Sequence, residues 1–185
     1  MVICAFSDMH QDYDFLKHIG KFIKKTKNID LILIAGDFTH SGNKSDEYTN
    51  ELLGELDLTG IRYLSVTGNA DSYSTLNLLE EKKALIENKT IEYKNEIISG
   101  FSPNHEKPLE NDFSIKNAIV ISHIPIKKPL LDLPDAPKIW ISGHWHHFFI
   151  TNSFNTLFIH LPAANMQKIT LIDTETKSVK LLEVN

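Results

Sequence analysis

The sequence is short of the residues on which several classes of protein depend. Its 185 residues include one cysteine, Cys4, so no intramolecular disulfide can form. The longest apolar runs, such as Leu31–Ala35, have the length of a strand, whereas a membrane helix needs about 20 apolar residues. A core strand is predicted almost at Met1, which leaves no room for a signal peptide before it. These absences predict a cytoplasmic protein that does not bind membranes.

Positive charge is also scarce. Nineteen Lys and Arg stand against 24 Asp and Glu, which gives a formal net charge of −5. Because dedicated nucleic-acid-binding proteins need a basic surface, that function is not expected. Arg62 is the sole arginine, so any phosphate site would lack an arginine clamp. Positive charge would have to come from elsewhere, and the nine histidines suggest bound metal ions.

The apolar residues that are present predict one domain spanning residues 1–185. They make up 42% of the chain, enough to bury a core. In the first half, strand-like runs at 2–6, 31–35 and 63–66 alternate with helical spacing at 15–23, 48–56 and 76–86. This βαβαβα order predicts a parallel sheet with crossover helices.

The second half is rich in predicted strands. They lie at 90–93, 96–101, 118–122, 138–142, 148–151, 157–160, 168–173 and 178–183. Residues 174–177 between the last two predict a hairpin turn, and 103–111 and 125–137 predict loops.

Five of the predicted strands end in small residues followed by side chains that bind metals. These side chains are Asp8, His10, Asp37, Asn69, His123, His144 and His146. Ligands of open α/β sheets bind at the carboxyl ends of the strands, so all seven are expected at one edge. Asp8 and His10 are two residues apart and are expected on the same side of an extended segment, as are His144 and His146.

The seven groups comprise two carboxylates, one amide and four imidazoles. A mixed nitrogen and oxygen set suits Mn, Fe, Zn, Co or Ni and excludes a thiolate site. Seven groups are too many for one ion but suit two ions bridged by a carboxylate. The Gly36-Asp37 turn makes Asp37 the natural bridge.

These blocks together resemble the calcineurin-like metallophosphoesterases. The matching blocks are Asp8-Met9-His10, Gly36-Asp37, Gly68-Asn69, His123 and Gly143-His144-Trp145-His146. The short chain resembles the small prokaryotic phosphodiesterase branch of that superfamily. The resemblance implies an α/β fold in which two mixed β-sheets pack face to face as a sandwich flanked by helices.

The resemblance also implies a dinuclear site of two divalent transition-metal ions (Mn, Fe, Ni or Zn). One ion would take Asp8, His10 and His146, the other Asn69, His123 and His144, and Asp37 would bridge them. Asp37, Asn69 and His123 would be the catalytic residues. The implied activity is phosphate-ester hydrolysis, foremost of phosphodiesters, by in-line attack of a hydroxide held between the metals.

One block departs from the family pattern. The family usually has Gly-Asn-His there, and that histidine assists the leaving group, whereas this chain has Ala70. Because Ala70 cannot donate a proton, we expect poor turnover of esters with alkoxide leaving groups. His40 and His147 adjoin motif residues and are candidates for a substitute acid or for rim residues. Asp71 is expected to cap the following helix.

The remaining histidines belong to no motif. His18, His105 and His160 are therefore assigned to structure or surface.

Two other functions remain open at this point. One is a non-catalytic scaffold of the same fold that binds metal and a protein partner. The other is a nuclease, against which the net charge of −5 and the single arginine argue. The expected partner is a small phosphate ester, and homo-oligomers are compatible with the sequence.

Overall fold

The computed structural model describes residues 1–41, 46–102, 114–125 and 136–184. The predicted loops at 103–111 and, apart from its ends, 125–137 lie outside these residues, as does His105. The helices are α1 (Tyr13–Lys25), α2 (Glu47–Asp57) and α3 (Tyr73–Glu81). The strands are β1 (Val2–Phe6), β2 (Leu31–Ala35), β3 (Tyr63–Val66), β4 (Thr90–Tyr93), β5 (Glu96–Phe101), β6 (Ile119–Ser122), β7 (Ile139–Ser142), β8 (Phe149–Ser153), β9 (Thr156–His160), β10 (Lys168–Asp173) and β11 (Ser178–Glu183).

The strands form two mixed sheets. The first has the order β11-β10-β1-β2-β3, in which β1, β2 and β3 are parallel and the β10–β11 hairpin adds antiparallel strands. The second has the order β4-β5-β6-β7-β9-β8, with four parallel inner strands and an antiparallel strand at each edge. The predicted parallel order of the first three strands and the hairpin at 174–177 are confirmed.

The two sheets pack face to face. Side chains alternate along β1, so that Ile3 and Ala5 enter a core that also holds Ile121 of β6 and Ile141 of β7. Cys4 and Phe6 face the other way, into a core built with the three helices. The predicted sandwich is confirmed, and the three helices of the described residues pack against the outer face of the five-stranded sheet.

The first helix shows how local sequence fixes an element. Phe15, Ile19 and Ile23 recur at intervals of four and are buried on one face. The carboxylate of Asp12 caps its amino end by accepting hydrogen bonds of 2.9 Å from the amides of Asp14 and Phe15. None of the described helices is both long enough and apolar enough to cross a membrane.

The third helix is shorter than the helical spacing at 76–86 predicted. It ends at Glu81, and Lys83 then takes a left-handed backbone conformation (φ 56°) that a helix does not continue through. Ile86 therefore lies beyond the helix, donates its amide to the carbonyl of Ser65 at 3.0 Å and packs between the sheets. The prediction was too long because the apolar residues continue at helical spacing up to Ile86, whereas the helical backbone ends before that residue.

Candidate metal centre

All seven predicted metal-binding side chains lie at the edge where β1, β2, β3, β6 and β7 end. They follow directly from the carboxyl ends of these strands. Their donor atoms form two groups, and the Oδ2 atom of Asp37 lies within reach of both. The structure therefore brings together every residue that the sequence placed at this edge.

The first group surrounds His10. Its Nε2 atom lies 3.3 Å from Nε2 of His146, 3.7 Å from Oδ2 of Asp37 and 4.0 Å from Oδ1 of Asp8. The distance from His146 Nε2 to Asp8 Oδ1 is 3.3 Å. This group is accessible to solvent, since the side chain of His146 is 44% exposed.

The second group surrounds His123, which is buried. Its Nε2 atom lies 3.0 Å from Oδ1 of Asn69, 3.2 Å from Nδ1 of His144 and 3.3 Å from Oδ2 of Asp37. The carboxylates of Asp8 and Asp37 and the imidazole of His123 also lie within one 4.8 Å cluster. Asp8 and Asp37 thus lie between the two groups.

The chemistry of these donors fits divalent metal ions. Nδ1 of His123 is 2.7 Å from the carbonyl of Ala35, so it carries the proton and leaves the lone pair on Nε2. That lone pair faces the oxygens of Asn69 and Asp37, which are acceptors too. Ligands of one ion with bonds of about 2.1 Å lie about 3.0 to 3.5 Å apart, close to these separations. A cation would satisfy acceptors that otherwise face each other.

The charges of this cluster are strongly coupled. Burial favours a raised pKa for Asp37, but His123, the amide of Ala70 and His10 outweigh burial and lower its pKa. Burial also acts to lower the pKa of His123, and here Asp37 outweighs it and raises the pKa. A proton that Asp37 and His123 share would compete with a metal ion for the same donor atoms.

Groups behind the donors fix their orientation. The hydroxyl of Ser7 donates to Oδ2 of Asp8 at 2.6 Å, and the amide of His144 donates to the same oxygen at 3.0 Å. Such contacts orient ligands and tune metal affinity. A Cβ on Gly143 would lie 2.7 Å from that carboxylate oxygen, so the close approach needs glycine.

The prediction that Asp8 and His10 belong to an extended segment is wrong. Asp8 and His10 both have left-handed backbones, with φ of 55° and 45°. The two side chains reach one cluster through a tight turn and not by alternation along an extended strand. His144 and His146, with φ of 78° and 60°, likewise depart from an extended segment.

Asp71 does not cap α3, as had been predicted, because Ser72 accepts the capping hydrogen bond from the amide of Thr75. The carboxylate of the half-buried Asp71 accepts hydrogen bonds of 2.8 to 3.1 Å from four backbone amides, those of Asp37, Phe38, Thr39 and Gly68. It therefore holds the turn that presents Asp37. Three of these partners follow β2, more than 30 residues away, so a capping pattern was the nearest signal that the local sequence offered.

Ala70 and the two additional histidines have different positions. Ala70 is 7% exposed and donates its amide to Oδ1 of Asp37 at 2.8 Å. His40 is exposed and stacks on His10 with ring centroids 5.2 Å apart, at the rim of the first group. His147 is exposed and close enough to His160 to help to lower the pKa of that residue. A role for His40 or His147 as acid stays a prediction.

His160 is a residue whose place sequence reasoning missed. It is buried at the carboxyl end of β9, directly opposite Ser142, and its Nδ1 atom lies 2.9 Å from the hydroxyl of that serine. Its Nε2 atom accepts a hydrogen bond from the amide of Trp145 at 3.3 Å, which fixes the turn between the candidate ligands His144 and His146. Burial, followed by nearby histidines, lowers the pKa of His160 to about 4. The strand-end rule that found the other histidines would have found this one.

Comparison with known proteins identifies the class. The sequence model of the calcineurin-like phosphoesterase family matches residues 1–148. This match spans most of the chain, and the chain therefore belongs to that family, whose members bind a dinuclear divalent metal site. The predicted family is confirmed. A comparison with curated protein sequences gives no match.

Solved structures share the fold across the whole chain. An archaeal phosphodiesterase has 16% identity and a TM-score of 0.66, with 99% of each chain covered. A dimetal phosphatase from Danio rerio has 11% identity and a TM-score of 0.64, covering 100% of this chain and 99% of its own. Zinc-bound Vps29 from Entamoeba histolytica has 15% identity and a TM-score of 0.52, with both chains covered in full. At these identities the likeness establishes the fold alone.

Proposed function

We propose that this protein is a two-metal-dependent hydrolase of phosphate esters and that phosphodiesters are its substrates. The observation that carries the proposal is the pair of donor groups that share Asp37. The likeness in fold to an archaeal phosphodiesterase and a dimetal phosphatase supports the same reaction class. The complete set of seven donors favours an enzyme over a scaffold such as Vps29.

The seven donor residues would hold two metal ions. Asp8, His10 and His146 would hold one metal, and Asn69, His123 and His144 would hold the other. Asp37 would bridge them, and the amide of Ala70 orients its carboxylate. Metals bound there would lower the pKa of water towards neutrality and neutralise the phosphoryl oxygens. That charge supply suits a site in a protein with one arginine.

The charge and the cysteine content support a proposal for the substrate and the compartment. A net charge of −5 supports a small phosphate ester over nucleic acid. Cys4 is buried and its pKa is raised to about 12, so it is an inert thiol that suits the cytoplasm. A homo-oligomer remains compatible with this function.

The test is hydrolysis by the full chain after its metals have been stripped. Bis-p-nitrophenyl phosphate and p-nitrophenyl phosphate serve as diester and monoester, and Mn²⁺, Ni²⁺, Zn²⁺ or Mg²⁺ is added back. We expect metal-restored turnover that favours the diester. Asp37→Asn should abolish it and lose at least one metal, because the bridging carboxylate is gone.

The matched control is Asp14→Asn, which neutralises an exposed carboxylate on α1. It should keep both metals and full turnover. An active, fully metallated Asp37→Asn protein would overturn the assignment of the bridge. If the wild type bound two metals but hydrolysed neither ester, the proposal of an enzyme would be overturned and the scaffold function would be favoured.

A further inference from the structure

An aromatic cluster lies beside the candidate metal centre, in the turn that carries two of its donors. Trp145 stands between His144 and His146, and its ring centroid is 5.0 Å from that of His160 and 6.1 Å from that of Phe149. Phe149 stacks on His160 at 4.9 Å with an interplanar angle of 26°. Three rings therefore form one packed unit.

The unit is held in place on its inner side. Two hydrogen bonds fasten the imidazole of His160, one with the hydroxyl of Ser142 and one from the amide of Trp145. The same amide lies 3.0 Å from the carbonyl of Gly143. Because its supports are fixed, Trp145 loses little further freedom when a ligand packs on it.

The outer side of the unit is open. Trp145 is 53% exposed, although it is among the largest apolar side chains in the protein. Phe149, on the edge strand β8, is 41% exposed, and its ring is tilted by only 21° from that of Trp145. A large flat surface left open within one residue of two candidate metal ligands indicates a contact for something bound at the centre.

We propose that Trp145, supported by Phe149 and His160, is a stacking platform for the nucleobase of a nucleotide-type phosphodiester. This inference rests on the proposed function, since the phosphate must bind at the candidate metal centre. Stacking recognises a base through its flat face and needs no positive charge, which suits a chain with one arginine. It would select nucleoside diesters over alkyl diesters of equal charge.

The kinetic test compares two esters that share a leaving group. The p-nitrophenyl ester of thymidine monophosphate and methyl p-nitrophenyl phosphate both release nitrophenolate, and they differ in the nucleoside alone. The readout is the ratio of their KM values in the metal-loaded full chain. Trp145→Ala should shift this ratio against the nucleoside ester by at least about fivefold, and Trp145→Phe should keep most of the preference.

The matched control is Phe154→Ala, which removes an exposed aromatic ring just beyond β8. It should leave the ratio unchanged. A general disturbance of the ligand turn raises both KM values together and cancels in the ratio. An unchanged ratio in Trp145→Ala overturns the platform, and so does a change in oligomeric state without a change in ratio.

A binding readout separates this proposal from the hydrolase itself. Trp140 is 2% exposed, so Trp145 is the tryptophan that a ligand can quench. Adenosine monophosphate should quench the fluorescence of the metal-loaded wild type, and ribose phosphate should not. Quenching without hydrolysis of either ester would overturn the proposed function and support the platform. Equal responses to both ligands would overturn the platform.

Discussion

Ala70 is the residue at which this chain departs from the family pattern. Its amide orients Asp37, but its methyl group offers no proton at the place where the family pattern described above has a histidine. General acid catalysis typically contributes about 100- to 10,000-fold, and it matters most where the leaving group is a poor one. The missing side chain should therefore restrict the range of leaving groups and leave metal binding intact.

Restoring the histidine tests this restriction. We expect Ala70→His to raise turnover of a dialkyl diester such as glycerophosphocholine by at least about tenfold. Bis-p-nitrophenyl phosphate should change little, because nitrophenolate leaves without protonation. Ala70→Phe supplies a ring of similar size without a proton and is the control. Equal gains in both variants, or none on the alkyl ester, would show that no acid is missing.

The candidate metal ligands could be predicted at the residue scale because each motif block is short and ends a strand. Gly36-Asp37 and Gly143-His144 need no knowledge of distant partners to be noticed. Asp71 could not be placed in this way, since its four amide partners are set by the pairing of β2 and β3. The ligand roles of the seven side chains stay a prediction, although the structure brings their donor atoms together.

The strands followed from periodicity, whereas their order within the sheets, beyond the parallel β1, β2 and β3, did not. Apolar runs located the eleven strands of the described residues to within two residues at each end. The insertion of β10 between β1 and β11, and of β9 between β7 and β8, depends on packing between distant segments. The strand end at His160 was visible in the sequence, but its contacts with Ser142 and Trp145 exist only when β9 pairs with β7.

The pairing of β7 and β9 buries His160, and this burial predicts that the protein loses stability at acidic pH. The pKa of His160 is lowered to about 4 from 6.5, so between those values the unfolded chain binds a proton that the folded chain does not. The free energy of unfolding should therefore fall as pH falls through this window, by about 2 kcal/mol from this histidine. Urea unfolding with a chelator present measures it.

The variant His160→Gln isolates this contribution. Glutamine stays neutral and keeps a hydrogen-bonding side chain, so the difference in stability between wild type and variant should shrink from neutral pH towards pH about 4. His18→Gln, which removes an exposed histidine from α1, is the matched control. Wild-type and His160→Gln curves that stay parallel across the window would contradict the prediction.

At the scale of the whole molecule, each donor group contains residues from both sheets. Asp8 and His10 follow β1 of the five-stranded sheet, whereas His146 follows β7 of the six-stranded sheet. In the second group Asn69 follows β3 and His123 follows β6. A metal in either group would therefore link the two halves of the sandwich at one edge.

Such a link predicts that metal binding stabilises the fold as a whole. A ligand at about 100 times its Kd adds about 2.7 kcal/mol to the free energy of unfolding when it binds the folded state alone. For a protein of this size that corresponds to a rise in Tm of about 5 to 10 °C. We expect Mn²⁺ or Zn²⁺ to produce it in the metal-stripped protein, as measured by calorimetry, and a chelator to reverse it. Asp37→Asn should lose most of the shift, because the carboxylate of Asp37 lies within reach of both groups, whereas Asp14→Asn should keep it. An equal rise in Asp37→Asn and the wild type would show that the metal stabilises the protein from some other place, and the two sheets would then owe their cohesion to the apolar core alone.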